Sequence, residues 1–164
     1  MKQKVNKKWI FITALLIALP IAWYLISPAF IVVEKNEEFP VSEDLNENQL
    51  GNSLIENSKI ESVILKQANF IASAHDVKGK ALIINGNGKQ VLRFQDFETI
   101  NGPDLFIYLS SDLNADDFIN LGEIKATKGN VNYELPSNVD LTKYNKVLVW
   151  CRAFRVLFSY AELK

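Results

Sequence analysis

The chain has 164 residues, 48% of them hydrophobic, and a formal net charge of −1, a size that fits one domain with additional segments. The charge is unevenly placed: Lys2, Lys4, Lys7 and Lys8 crowd the first eight positions, whereas from Glu34 onward 14 basic residues face 19 acidic ones. A mildly acidic body argues against binding nucleic acid, which needs a basic face.

Residues 1–8 read as a basic cytoplasmic N-terminus and residues 9–33 as a transmembrane anchor. From Trp9 to Val33 there is no charge, and only Thr13, Pro20, Ser27 and Pro28 interrupt the apolar run. As a helix this segment spans roughly 37 Å, enough to cross a hydrocarbon core of about 30 Å. Pro20 would kink it, which membrane helices tolerate. Trp9 at one end and Trp23 with Tyr24 near the other suit the two interfaces, and the preceding lysines place the N-terminus inside. Everything after Val33 is then extracytoplasmic, on a single-pass protein whose first partner is the membrane. The rival reading is a cleaved signal peptide, with Ser27-Pro28-Ala29 as its cleavage site. The apolar run exceeds the roughly 7–15 residues of a signal core, which favours an uncleaved signal anchor. No cysteine follows the run to carry a lipid.

Residues 34–59 read as an acidic tether. Glu34, Glu37, Glu38, Glu43, Asp44, Glu47 and Glu56 stand against Lys35 and Lys59, a composition that cannot bury enough apolar area to fold alone. Short helical turns are expected between Asp44 and Leu54. The β domain covers residues 60–164, beginning near Ile60 or, more conservatively, near Ala72. Ile60 to Ile71 alternates weakly, as a first strand or a linking helix. Ala81–Ile84 and Val91–Phe94 flank Asn85-Gly86-Asn87-Gly88, a strong hairpin signal because Asn and Gly accept positive φ. Leu105–Leu109 follows the turn Asn101-Gly102-Pro103-Asp104. Ile119–Ala126 and Val131–Leu135 are short strands, and Val147–Cys151 with Val156–Phe158 forms a closing hairpin. The spacing predicts an all-β fold, an antiparallel β-sandwich or jelly-roll-like domain after one N-terminal transmembrane helix. With one cysteine, Cys151, no internal disulfide can form, so the domain depends on its apolar core.

Residues Ala72 to Leu163 carry an ordered series of short motifs: Gly79-x-Ala81, Asp96-Phe97, Asn101-Gly102-Pro103-Asp104-Leu105, Tyr108-Leu109, Asp117-Phe118, Leu121-Gly122, Gly129-Asn130 and Tyr133-x-Leu135-Pro136. Val149-Trp150-Cys151 and Phe154-x-Val156-x-Phe158-x-x-Ala161 complete it. In order and spacing this resembles the DM-thirteen domain, found in animal cell-surface proteins and in secreted or membrane-anchored bacterial proteins, the bacterial anchored kind being the better parallel. The resemblance implies an extracytoplasmic β-sandwich with a proposed electron-transfer role and a protein or redox partner. It also implies that Cys151 is the redox residue, as a bare thiol or as a ligand of a group such as haem.

The residues themselves give Cys151 two readings. Alternation puts it with Val147 and Val149 on one strand face and Leu148, Trp150 and Arg152 on the other. A cysteine among valines is usually a small buried hydrophobe. Positive charge from Arg152 and Arg155 would instead favour a thiolate, although Arg152 points to the other face. His75, the only histidine, is either a loop residue or a partner to Cys151 in holding a cofactor. The absence of C-x-x-C-H excludes covalent c-type haem attachment. Asp112-x-Asn114-x-Asp116 with Glu123 has the spacing of a calcium loop, but Asp117 stands where such a loop needs glycine. Gly86-Asn87-Gly88-Lys89 lacks the pattern of a phosphate-binding loop. Phe94, Phe97, Phe106, Tyr108, Trp150, Phe154 and Phe158 are expected in the core. No set of residues converges as a catalytic site does, which argues against an enzyme. The remaining alternative to a redox role is a non-catalytic extracytoplasmic binding or adhesion module in which Cys151 is structural.

Overall fold

A computed structural model describes residues 7–27, 31–40, 62–86 and 89–164. The chain is mostly β, with two sheets that are largely antiparallel and one N-terminal helix. That helix, α1 (Lys7–Ile26), contains Pro20. Its Trp9, Phe11, Leu16, Trp23 and Tyr24 are exposed, and it shows no polar stripe of the kind a helix on a soluble core carries. The one hydroxyl in its middle is satisfied internally: Thr13 Oγ1 donates to the Trp9 carbonyl at 2.8 Å. The helix is long and apolar enough to cross a membrane.

The strands are β1 (Glu34–Asn36), β2 (Val63–Asn69), β3 (Ile71–Ala72), β4 (Val77–Gly86), β5 (Lys89–Thr99), β6 (Leu105–Ser110), β7 (Phe118–Glu123), β8 (Lys128–Glu134), β9 (Lys146–Cys151) and β10 (Val156–Glu162). They form one sheet in the order β1-β8-β5-β4-β2 and a second in the order β3-β10-β9-β6-β7. All pairings are antiparallel except β1 with β8. The expected hairpin of β4 and β5 is present and longer than its apolar centre suggests, running from Val77↔Thr99 to Gly86↔Lys89. Its turn residues Asn87 and Gly88 lie outside the described residues, as do Pro28 and Ala29 of the alternative cleavage site.

Burial explains the sandwich. Ala81, Ile83, Leu92, Phe94 and Phe97 of one sheet meet Leu105, Ile107, Leu109, Val147 and Val149 of the other in a single core. Phe70, Phe94 and Phe97 pack edge-on and tilted, with ring centroids 4.8–4.9 Å apart. Strand β6, between β9 and β7, is buried along its whole length. Its outward residues Phe106 and Tyr108 lie under a second apolar layer with Leu148, Trp150, Leu157 and Tyr160. Of the aromatics expected inside, Phe94, Phe97 and Phe158 belong to the core, and Phe106 and Tyr108 to this outer layer. Phe154 is the exception: it sits in the tight β9–β10 turn, whose residues face solvent, and is 56% exposed.

The register fixes two ends. Val33 donates its N–H to Thr127 Oγ1, and Glu34 pairs with Lys128, which pairs with Glu98. Val33, Val77, Thr99 and Lys128 therefore mark the end where the chain arrives, here the proximal end; Gly86, Lys89 and Glu134 mark the distal end. In the second sheet Leu105, Cys151 and Val156 form a row at the proximal end, and Ser110, Lys146 and Glu162 a row at the distal end.

The segment expected as a tether begins as part of the sheet. β1 is polar throughout and is held by hydrogen bonds rather than by burial, which is why its sequence carries no strand signal. Asn36 Oδ1 accepts from both nitrogens of Asn130, at 3.1 and 2.9 Å. Beyond β1, Glu37 Oε2 accepts the Asn132 N–H at 2.6 Å. Buried Arg93 donates through Nη1 to the carbonyls of Glu37 and Glu38 and to Asn132 Oδ1, with its guanidinium 5.2 Å from the Phe39 ring. Gly129 (φ +107) allows the close approach, since a Cβ there would lie 2.2 Å from the Lys35 carbonyl oxygen. The Pro40 carbonyl then reaches Gly86 at the distal end, and β2 starts beside it with Val63 opposite Asn85. Residues 41–61, including the expected turns from Asp44 to Leu54, lie outside the described residues; the described residues on either side, Pro40 and Val63, are both at the distal end.

Candidate functional site

Cys151 ends β9 on its inner face, as alternation requires, and is fully buried in the core with Val147, Val149, Leu105 and Phe158. Its cross-strand partners are Leu105 and Val156. Arg152, the next residue, lies on the outer face. Its guanidinium holds Asp104 through two hydrogen bonds of 3.0 and 3.2 Å and covers the Phe106 ring at 4.1 Å. It is engaged there and does not face the thiol.

His75 lies in the connection from β3 to β4, at the proximal end. Its N–H donates to the Phe158 carbonyl at 3.2 Å, and its ring packs on the Phe158 ring with centroids 4.0 Å apart. It lines a mostly apolar cleft of about 250 Å³ with Ile100, Gly102, Pro103, Phe154, Val156 and Phe158. Gly102 fits closely in that wall: a Cβ there would lie 2.9 Å from Phe158 Cζ, so the ring would have to shift. Cys151 does not line the cleft; its neighbours Val156 and Phe158 stand between. A second, larger groove of about 580 Å³ adjoins it through Ile100 and Asn101, between Ile31 and Val32 on one side and Asp76, Lys78, Glu98 and Lys128 on the other. Neither Cys151 nor His75 lines this groove.

The chemistry available follows from this placement. A thiol without solvent access cannot meet an oxidant, a metal complex or another thiol in the folded chain. The residues do not fit a haem held between Cys151 and His75. Cys151 lies within close-packed core, His75 has its ring against Phe158, and the cleft beside His75, which Cys151 does not reach, is below the roughly 300 Å³ at which small-molecule pockets begin.

The calcium-like loop is also accounted for by its own contacts. The Asp112 carboxylate accepts the backbone N–H groups of Asn114, Asp116 and Asp117 at 2.7–3.2 Å. Desolvation raises its pKa, but these donors together bring it below the usual carboxylate value. Asp117 accepts from Lys143 at 2.8 Å and from the Tyr144 hydroxyl at 2.9 Å, and both hold its pKa down. Among the described residues no group of three His, Cys, Asp or Glu side chains is placed to hold a metal ion.

Residues 69–163, more than half of the chain, match the family described as Electron transfer DM13. The chain belongs to this family. Comparison with curated proteins and with solved structures gives no match. Within the DM13 domain, the motif pair Gly129-Asn130 proves to be the seat of β1, since Asn130 bonds Asn36 on one side and accepts the Asp96 N–H on the other at 3.0 Å. Arg93, which locks the same segment, gave no sequence signal beyond being a charge inside an apolar strand.

Proposed function

We propose that this protein is a membrane-held DM13 module, carried on the extracytoplasmic side by a single helix with its N-terminus inside, that serves an electron-transfer system as an accessory. In this reading Cys151 is a structural residue of the module and not its electron carrier. The observation that carries the assignment of Cys151 is its complete burial, with its cross-strand partner Val156 lining the nearest cleft in its place. The family match supports the electron-transfer setting, and the apolar helix after a run of lysines supports the anchoring and its direction. The module would act by binding a partner.

A second reading keeps Cys151 as the redox residue. Its position favours this in one respect: it is the last residue of β9, next to a hairpin turn whose Arg155 adopts a left-handed conformation (φ 54). Opening of that turn would uncover the thiol. The two readings separate in the visible spectrum of the purified full chain before and after dithionite. The structural reading expects no dithionite-sensitive band that depends on Cys151. A band present in the wild type and lost in Cys151→Ala would overturn it.

A further inference from the structure

We propose that the proximal end of the sandwich is a lipid-contacting surface, seated at the boundary between headgroups and acyl chains with Phe154, Ile100, Ile31 and Val32 turned toward it. This rests on the reading of α1 as a membrane anchor. The first ground is chain length. Ile31 follows Ser27, the last described residue of the helical segment, by four positions, so the two Cα atoms are at most about 14 Å apart. Val33, already bonded to Thr127, is at most about 22 Å from Ser27. The second ground is the fixing of that junction. Thr127 and Lys128 donate to the Val33 carbonyl at 2.8 and 3.1 Å, and β1, Asn130, Asn132 and Arg93 hold the residues that follow. Pro40 and Val63, which flank residues 41–61, both lie at the distal side, and that segment follows the junction in the chain, so it adds no reach between the helix and the sandwich.

The surface brought to the membrane in this way suits it. Ile31, Val32, Ile100 and Phe154 are 54%, 69%, 43% and 56% exposed. Phe154 stands between Arg152 and Arg155 in the β9–β10 turn, an arrangement in which an aromatic ring enters the interface while the arginine heads stay in water. Three proximal carboxylates are covered by cations, Glu34 by Lys128, Glu98 by Lys78 and Asp104 by Arg152, whereas Asp76 makes no ion pair among the described residues. The three paired ones would not oppose an anionic headgroup layer as bare charges. Apolar side chains are exposed elsewhere too, notably Val63, Ile64 and Leu65 of β2. Those lie toward the distal end, where the chain path gives the membrane no access.

The test uses the full chain in phosphatidylcholine vesicles that contain a lipid with a nitroxide at the headgroup boundary. An environment-sensitive fluorophore is attached at Phe154→Cys, at Ile100→Cys, and at distal Ser137→Cys, with the unsubstituted chain as labelling blank. Quenching is expected to be about threefold or more stronger at 154 and 100 than at 137, as for side chains lying in the interface. Equal quenching at the three positions overturns the proposal. A fourth label at Leu16→Cys, read with a nitroxide deep in the acyl chains, reports on the anchor itself. If it is not quenched, the anchor reading fails and the seating falls with it; if it is quenched while 154 matches 137, only the seating falls.

Discussion

At residue 151 the sulfur replaces a methyl-sized group in a core of Val, Leu and Phe side chains. Cys151→Ser would put a hydroxyl there and is expected to destabilise the domain by about 1–3 kcal/mol, whereas Cys151→Ala removes one atom and should cost about 1 kcal/mol. Urea melts of the two variants check the order; a harmless serine would mean that a polar partner exists for the side chain. Ser159 offers the reverse experiment. It is fully buried beside Val149, and its hydroxyl has no hydrogen-bond partner among the described residues. Ser159→Ala is therefore expected to be neutral or to stabilise by about 1 kcal/mol, since the desolvation cost of an unpaired hydroxyl disappears. A loss of stability would show that the hydroxyl is satisfied in solution. The face of Cys151 was legible in the sequence, because period-two alternation along Val147–Cys151 separates it from Arg152. Its relation to His75 was not, because nothing local tells how a loop before β4 lies against β10.

Among the elements, β1 depends most on a single substitution. Gly129→Ala would force a Cβ against the Lys35 carbonyl at 2.2 Å and hold an L-residue at φ +107, so the edge strand must leave β8. The expected outcome is faster amide exchange and earlier proteolysis from Val33 to Phe39, with the core strands unchanged. Protection equal to wild type would contradict the docking. Arg93→Met is expected to free the same segment by removing three donated hydrogen bonds, at a cost of about 2–3 kcal/mol. The strands around apolar centres could be read in advance, β4, β5, β6, β9 and β10 most clearly, because burial imposes a pattern on them. β1 could not, for its polar residues bond to amides contributed by a strand almost a hundred positions later.

For the whole molecule, the acidic excess has a stated consequence for pH. Glu37, Asp112, Asp117 and Asp140 all titrate below their ordinary values in the fold. For Glu37, desolvation opposes the change, and hydrogen bonds from Lys35 and Asn132 outweigh it. Because the folded pKa values are depressed, the unfolded chain takes up protons first as pH falls. Their contribution is complete above the unfolded values near 4 and is lost as pH drops through the lower, folded ones. The melting temperature should therefore hold between pH 7 and about 5 and decline below about 4, with a smaller decline in Asp117→Asn. A flat profile down to pH 3 would contradict the placement of these carboxylates. The sandwich and the family were both visible in the sequence, since each rests on patterns within the chain. The way residues 31–40 bind the domain to the end nearest the helix was hidden, because acidic composition reads as a spacer whether or not its first residues find partners. The central claim, that Cys151 is a structural residue of a membrane-held DM13 module, is met most directly by titrating the thiol of the full chain with a maleimide, with and without denaturant. The folded protein is expected not to react, and the unfolded chain to take up one equivalent. Stoichiometric reaction in the folded state, at the rate of a free thiol, would contradict it.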